Sequence, residues 1–300
     1  MAAVITPTRI ALQNILVATD FSDCADAALQ YALGLAHRFD STLHVVHVLP
    51  HLPFVESAEP DPDLIRRDVQ QKLACAVQAE AFRGIRHTEI IGEGEVADVL
   101  AGLVARKGID LIVIGTQART GIGKFLLGSV AEEVFRLAAC PVLTVGPHVT
   151  RREARLQHIL YATDFGPESV HAVPYAVSLA EENHARLTML HIGREPGLAV
   201  PEAGTASPVI DPYQEVASGE QQLRELVPHD VSLWHEPEFM VQFGEPAETI
   251  LRVAAQDVDM IVLGVKRPAP LTKHFGEGVA YHVVRQAPCP VLTVGARVRV

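Results

Sequence analysis

Apolar positions fall into two recurring patterns along the chain. Solid apolar runs at residues 15–19, 111–114 and 142–145 predict strands buried on both faces. Residues 43–49 and 85–91 read as two more strands. Between the runs, apolar residues recur every three or four positions. Ala28, Leu29, Leu33 and Ala36 share one face of a helix over 24–39. Ile65, Val69, Leu73 and Val77 do the same over 63–82, with Gly84 as the stop. Further helices are expected over 95–106 and from residue 129. Regular β-α alternation with buried strands predicts an α/β fold, a parallel sheet with helices on both faces. Right-handed crossovers make it doubly wound. With five strands in the order 3-2-1-4-5, the chain reverses its winding between strands one and four. Ligands bind beyond the carboxyl ends of strands at such a point. Asp20 and Gly115 end those two strands.

The pattern then repeats. "ILVATDF" at 15–21 returns as "ILYATDF" at 159–165, "DLIVIG" at 110–115 as "DMIVLG" at 259–264, and "CPVLTVG" at 140–146 unchanged at 289–295. The offset grows from 144 to 149, so the second copy carries a small net insertion. A repeat of half the chain is a duplicated domain, with residues 1–150 and 151–300 as the two halves. Both have the same predicted architecture.

Composition narrows the classes. The 300 residues are 48% hydrophobic and 5% aromatic, so aliphatic side chains must fill the cores. A net charge of −11 without a basic block argues against a nucleic-acid partner. The first twenty residues lack a signal-peptide pattern, and no apolar stretch is long enough to span a membrane. The 4 cysteines form no CxxC pair. A cytoplasmic protein is the expectation.

The stretch "GTQARTGIGKFLLGSV", 115–130, joins the fourth strand to the helix that follows. Glycine lets backbone approach a ligand, and a helix N-terminus offers free N–H groups to an anion. Ser129 can cap that helix or donate to a phosphate, and Arg119 and Lys124 add positive charge. The same glycines can equally serve only to turn the chain. The P-loop pattern fails here, since Ala118 replaces its first glycine and Phe125 its Ser/Thr. "GEGEVA" at 92–97 carries glutamates where a pyrophosphate would sit and reads as a strand-to-helix turn.

"ILVATDFS", His47-Val48 and "GTQARTGIGKFLLGSV…CPVLTVG" together resemble the universal stress protein family in its tandem two-domain form. The resemblance spans essentially the whole chain. It implies the α/β architecture above and, in the family's nucleotide-binding members, a G-x2-G-x9-G-[ST] loop that binds ATP. Gly115, Gly128 and Ser129 match that loop, Ala118 stands at its second glycine, and Val130 completes the helix start. Ala18 and Thr19 lead to Asp20, which matches the aspartate placed for the nucleoside, and Val48 matches the position whose backbone meets the base. The implied cofactor is ATP or another adenine nucleotide in the first half alone, with magnesium as a candidate bridge between its phosphates. In the second half Gly264 remains, but Arg267, Glu277 and Gly278 occupy the other motif positions. Asp164 there reads as a strand-end capping residue.

No Ser-His-Asp or metal spacing stands out, so the expected activity is at most slow ATP hydrolysis. His44 and His47 face opposite sides of one strand. His47 and His191, equivalent between copies, read as structural hydrogen-bonding groups, and Cys140 and Cys289 as buried small residues. The family's edge-to-edge pairing implies a pseudo-dimer of the two last strands, a homodimer and an unidentified protein partner. The alternatives to a nucleotide-binding stress regulator are a ligand-free scaffold and a binder of a different small or apolar ligand.

Overall fold

The computed structural model describes residues 9–49, 61–116, 131–134, 138–149, 155–193, 212–266 and 278–295. They divide into two compact units between Arg155 and Leu156, with Arg9 and Ile10 belonging to the second.

The first unit contains β1 (Asn14–Ala18), α1 (Asp23–Phe39), β2 (Thr42–Leu49), α2 (Pro62–Val77), β3 (His87–Glu93), α3 (Val96–Lys107), β4 (Leu111–Gly115) and β5 (Val142–Val145). Its strands pair in parallel in the order β3-β2-β1-β4-β5. Ile15, Leu16 and Val17 on the central strand have no exposed surface, because helices cover both faces. The winding explains this. Steps from β1 to β2 to β3 run one way across the sheet, so right-handed crossovers put α1 and α2 on one face. The return from β3 to β4 puts α3 on the other.

Local chemistry sets the element ends. Ser22 caps α1, its Oγ accepting the Ala25 N–H at 3.3 Å, and Asp23 and Asp26 place negative charge in the first turn. Asp61 caps α2 and Pro62 supplies a preset φ at its start. The expected helix over 63–82 is shorter than its apolar spacing suggests. It ends at Val77, because Ala79 adopts extended backbone (φ −59, ψ 145) and breaks the ladder. Phe82 still reaches the core from a separate 3-10 turn, Glu80–Phe82. Glu95 lies just outside α3 as its cap. The preceding Gly94 takes φ +124, so "GEGEVA" is a strand-to-helix turn, as is its copy at Gly244 with φ +128.

The second unit repeats the plan with β6 (His158–Thr163), α4 (Pro167–Asn183), β7 (Arg186–Gly193), α5 (Pro212–Leu226), β8 (Glu238–Phe243), α6 (Pro246–Ala254), β9 (Met260–Val265), α7 (Val279–Gln286) and β10 (Val291–Gly295). Its parallel order is β8-β7-β6-β9-β10. One aspartate braces each central strand at its amino end. Asp110 accepts the N–H groups of Gln13 and Asn14 at 2.8 and 3.0 Å, and Asp259 those of Gln157 and His158 at the same distances.

Candidate functional site at the carboxyl ends of the central strands

In the first unit β1 and β4 lie side by side, with Ala18 paired to Ile114. The chain leaves β1 toward β2 and reaches β4 from β3, so the connections diverge here and open a crevice. The β1–β2 ladder ends at Ala18↔Val46, whereas β2–β3 continues to Leu49↔Glu93. Val48, half-buried and paired to Gly92, therefore extends beyond the end of β1 with its β1-side backbone outside that ladder.

The turn after β1 is tightly specified. The Thr19 N–H donates to the Val46 carbonyl at 2.8 Å, and Thr19 is buried. His47 Nδ1 donates to the Thr19 carbonyl at 2.8 Å, which fixes the imidazole tautomer because a carbonyl only accepts. Phe21 takes a left-handed φ of 61 and stacks on His47 with ring centroids 4.7 Å apart. A non-glycine residue in that region is costly, and the Phe21 N–H bond to Thr19 Oγ1 at 3.0 Å helps hold it. Asp20, between them, is left exposed. Its Oδ1 accepts the Ser22 N–H at 3.0 Å, orienting the carboxylate at the lip of the crevice.

Gly115 ends β4, and its glycine identity has a structural cause. A Cβ there would lie well inside contact distance of the Cys24 carbonyl group and the Ala25 nitrogen. The first turn of α1 packs straight onto the end of β4. Gly264 ends β9 under the same constraint, with Glu168 and Ser169 of α4 in the way of a Cβ. This explains why Gly264 persists in a copy whose loop has lost the rest of the motif.

The structure thus brings Ala18, Thr19, Asp20, Val48 and Gly115 to one end of one sheet. Ala118, Arg119, Gly128, Ser129 and Val130 lie outside the described residues; residues 131–134, just beyond them, are helical. His44 does not join this end. It bonds to Thr88 Oγ1 at 2.7 Å and Asn14 Oδ1 at 3.3 Å, on a different face from His47. Cys140 and Cys289 are buried. Among the described residues no cluster of His, Cys, Asp or Glu could hold a metal ion, and no helix is long and apolar enough to cross a membrane.

The second unit reproduces the turn almost bond for bond. His191 Nδ1 donates to the Thr163 carbonyl at 2.9 Å, Phe165 has φ 60, its N–H donates to Thr163 Oγ1 at 2.9 Å, and its ring lies 4.3 Å from His191. The difference is at Asp164. Its Oδ1 accepts the Gly166 N–H at 2.8 Å and also the Ser169 hydroxyl at 2.6 Å. Burial would push its pKa up, but those two donors and the nearby His191 outweigh burial and hold the carboxyl below its usual range. At the ends of β7 and β8, Phe243 Cε1 stands 3.0 Å from where a Gly193 Cβ would be. The equivalent first-unit residues are Leu49 and Glu93, the latter ion-paired to Arg66. The Ser169 bond is invisible to motif matching. Its signal is the replacement of Ala25 by a hydroxyl when the two copies are aligned.

Comparison with known proteins agrees with this duplicated plan. The profile of the universal stress protein family matches residues 11–146 and again 155–295. A universal stress protein of Methanocaldococcus jannaschii is 35% identical over 139 residues, covering 44% of this chain and 81% of that protein. One from Mycolicibacterium smegmatis is 26% identical over 301 residues, covering 95% and 97%. A solved universal stress protein from Archaeoglobus fulgidus superposes with a TM-score of 0.68 at 19% identity, over 95% of this chain and 99% of that one, a likeness of fold. With the family profile matched twice along its length, the chain belongs to the universal stress protein family, in the tandem two-domain form.

Proposed function

We propose that this is a stress-response regulatory protein whose first unit binds ATP or another adenine nucleotide, and whose second unit is a degenerate copy that supports assembly. The observation that carries the reading is Asp20. It is an exposed carboxylate, oriented by the Ser22 N–H, where the winding of the first sheet reverses. In this reading Asp20 accepts a hydrogen bond from the nucleoside and the Val48 backbone meets the base. Gly128, Ser129 and Val130 present a helix start to the phosphates, with Arg119 adding charge and magnesium bridging phosphate oxygens. Gly115 lets α1 close on β4 at the end of the crevice. Ala118 stands at the second glycine of the motif, and this reading requires that its methyl leave room for the phosphates. No group is assigned to hydrolysis. The nucleotide acts by shifting the population of loop conformations that a partner reads.

A second reading, a scaffold or a binder of a different ligand, is favoured for the second unit. Asp164 there is engaged by Ser169, and Phe243 covers Gly193.

Calorimetric titration of the full chain with magnesium ATP tests the first reading. Saturable binding is expected for the wild type and its loss in Ser129→Glu, with folding of the variant checked by circular dichroism. No binding at millimolar ATP would overturn it.

A further inference from the structure

The two turns after β1 and β6 hold the same groups as far as Phe21 and Phe165, and the copies then differ in their hydroxyls, at the helix cap and at the third residue of the following helix. In α1 that residue is Ala25; in α4 it is Ser169. In the first unit the only hydroxyl of the helix start is Ser22, which points its acceptor at the Ala25 N–H and caps α1. In the second unit Gly166 replaces Ser22, and the hydroxyl has moved three residues on. From there it no longer accepts from backbone. It donates to Asp164 Oδ1 at 2.6 Å.

Three observations fix Ser169 in that role. It is buried, so its proton has little access to water. The buried Tyr161 hydroxyl donates to the Ser169 carbonyl at 2.7 Å, bracing its backbone from below, where the first unit has Val17. Gly264 lets the first turn of α4 press against the end of β9 at Ser169 Cα. The hydroxyl is therefore held in place by its surroundings.

We propose that the residue at this position, Ala25 in one unit and Ser169 in the other, decides how strongly the carboxylate at the end of the central strand, exposed in both units, is held by its own helix and so how well it accepts from a ligand. A short O–H···O⁻ bond turns the carboxylate toward its own helix and makes it a poorer acceptor for anything else. Asp164 is tied to its helix start by two donors, the Gly166 N–H and the Ser169 hydroxyl, whereas Asp20 accepts the Ser22 N–H and has alanine at the position of Ser169. As far as it concerns nucleotide, the inference rests on the reading that Asp20 meets the nucleoside. The substitution Ala25→Ser fits the fold, because the second unit already accommodates a serine against the equivalent glycine.

The experiment is a reciprocal exchange in the full chain, Ala25→Ser and Ser169→Ala, read two ways. Carbon-13 NMR titration of the aspartate carboxyls needs no ligand. Ser169→Ala should raise the Asp164 midpoint and Ala25→Ser should lower that of Asp20; the described titratable groups that interact with Asp164 are His191 and the Tyr161 phenol, which stays protonated, and His191→Gln is the control for the histidine's share. Midpoints unmoved by both exchanges overturn the proposal. In titration with magnesium ATP, Ala25→Ser should bind about tenfold more weakly than wild type. Equal affinity in wild type and Ala25→Ser overturns it as well. A wild type that binds no nucleotide defeats the nucleotide reading instead, and the carboxyl midpoints then decide this proposal alone.

Discussion

The end of β4 and the end of β9 carry the same glycine above loops of very different sequence. Gly115 precedes a stretch that fits the family's nucleotide-binding loop except at Ala118; Gly264 precedes one that has lost the motif. If the glycine served only a ligand, the second copy would have no reason to keep it. Both are kept because a helix start lies against each, Cys24 and Ala25 in one unit and Glu168 and Ser169 in the other. Motif membership and ligand contact are therefore separable. The residues that persist in both units build the crevice, and those that differ, Ala25 and Ser169 among them, decide what it can do.

That division is sharpest at the glycines. Gly115→Ala and Gly264→Ala should each destabilise their own unit by about 3 kcal/mol, the range of an overpacked core, since the methyl must displace backbone. Urea denaturation followed unit by unit would show it. A Gly115→Ala protein of native stability that lost only ligand binding would break the comparison.

A smaller effect is expected at Tyr161. Tyr161→Phe removes the buried hydroxyl that braces Ser169 and should cost about 1 kcal/mol, confined to the second unit. Burial pushes the pKa of that phenol up, so it stays a donor across the accessible pH range. A loss spread equally over both units would show that the brace is not local.

The histidines at the amino ends give the mildest test. Burial lowers the pKa of both His44 and His158 from 6.5, assisted by Lys107 and Arg186 respectively. His158 Nε2 donates to Thr188, whose own proton goes to Glu238 at 2.9 Å, so Nε2 carries a proton. A folded pKa below the unfolded one means the unfolded chain takes the proton first. These groups leave stability intact above pH 6.5 and erode it as pH falls below. The unfolding midpoint should drop as pH falls from 6.5 to about 5, and His158→Gln should flatten that slope for the second unit. An unchanged slope would contradict it.

Most of the architecture was legible because buried parallel strands and amphipathic helices each leave a periodic trace, and the duplication wrote that trace twice. The end of α2 was not, since Phe82 keeps the apolar spacing going while Ala79 has already broken the helix. At the candidate site, the motif drew attention to Asp20, Val48 and Gly115, which the structure places at one end of the sheet, and the hydrogen-bonding roles of His47 and His191 followed from their equivalence between the copies. The reason for Gly115 was not legible, because a glycine at a strand end reads the same whether it faces a ligand or a helix some ninety residues earlier in the chain. Nor was the Ser169 bond, which depends on how the first turn of α4 meets Asp164 in space.

The central claim is that one unit binds nucleotide through Asp20 and the other does not. Equilibrium dialysis with labelled magnesium ATP, counting nucleotides bound per chain, tests it most directly. The account predicts one per chain, with affinity lowered at least tenfold by Asp20→Asn and unchanged by Asp164→Asn. Two nucleotides per chain, or a single one lost through Asp164→Asn and not Asp20→Asn, would contradict it.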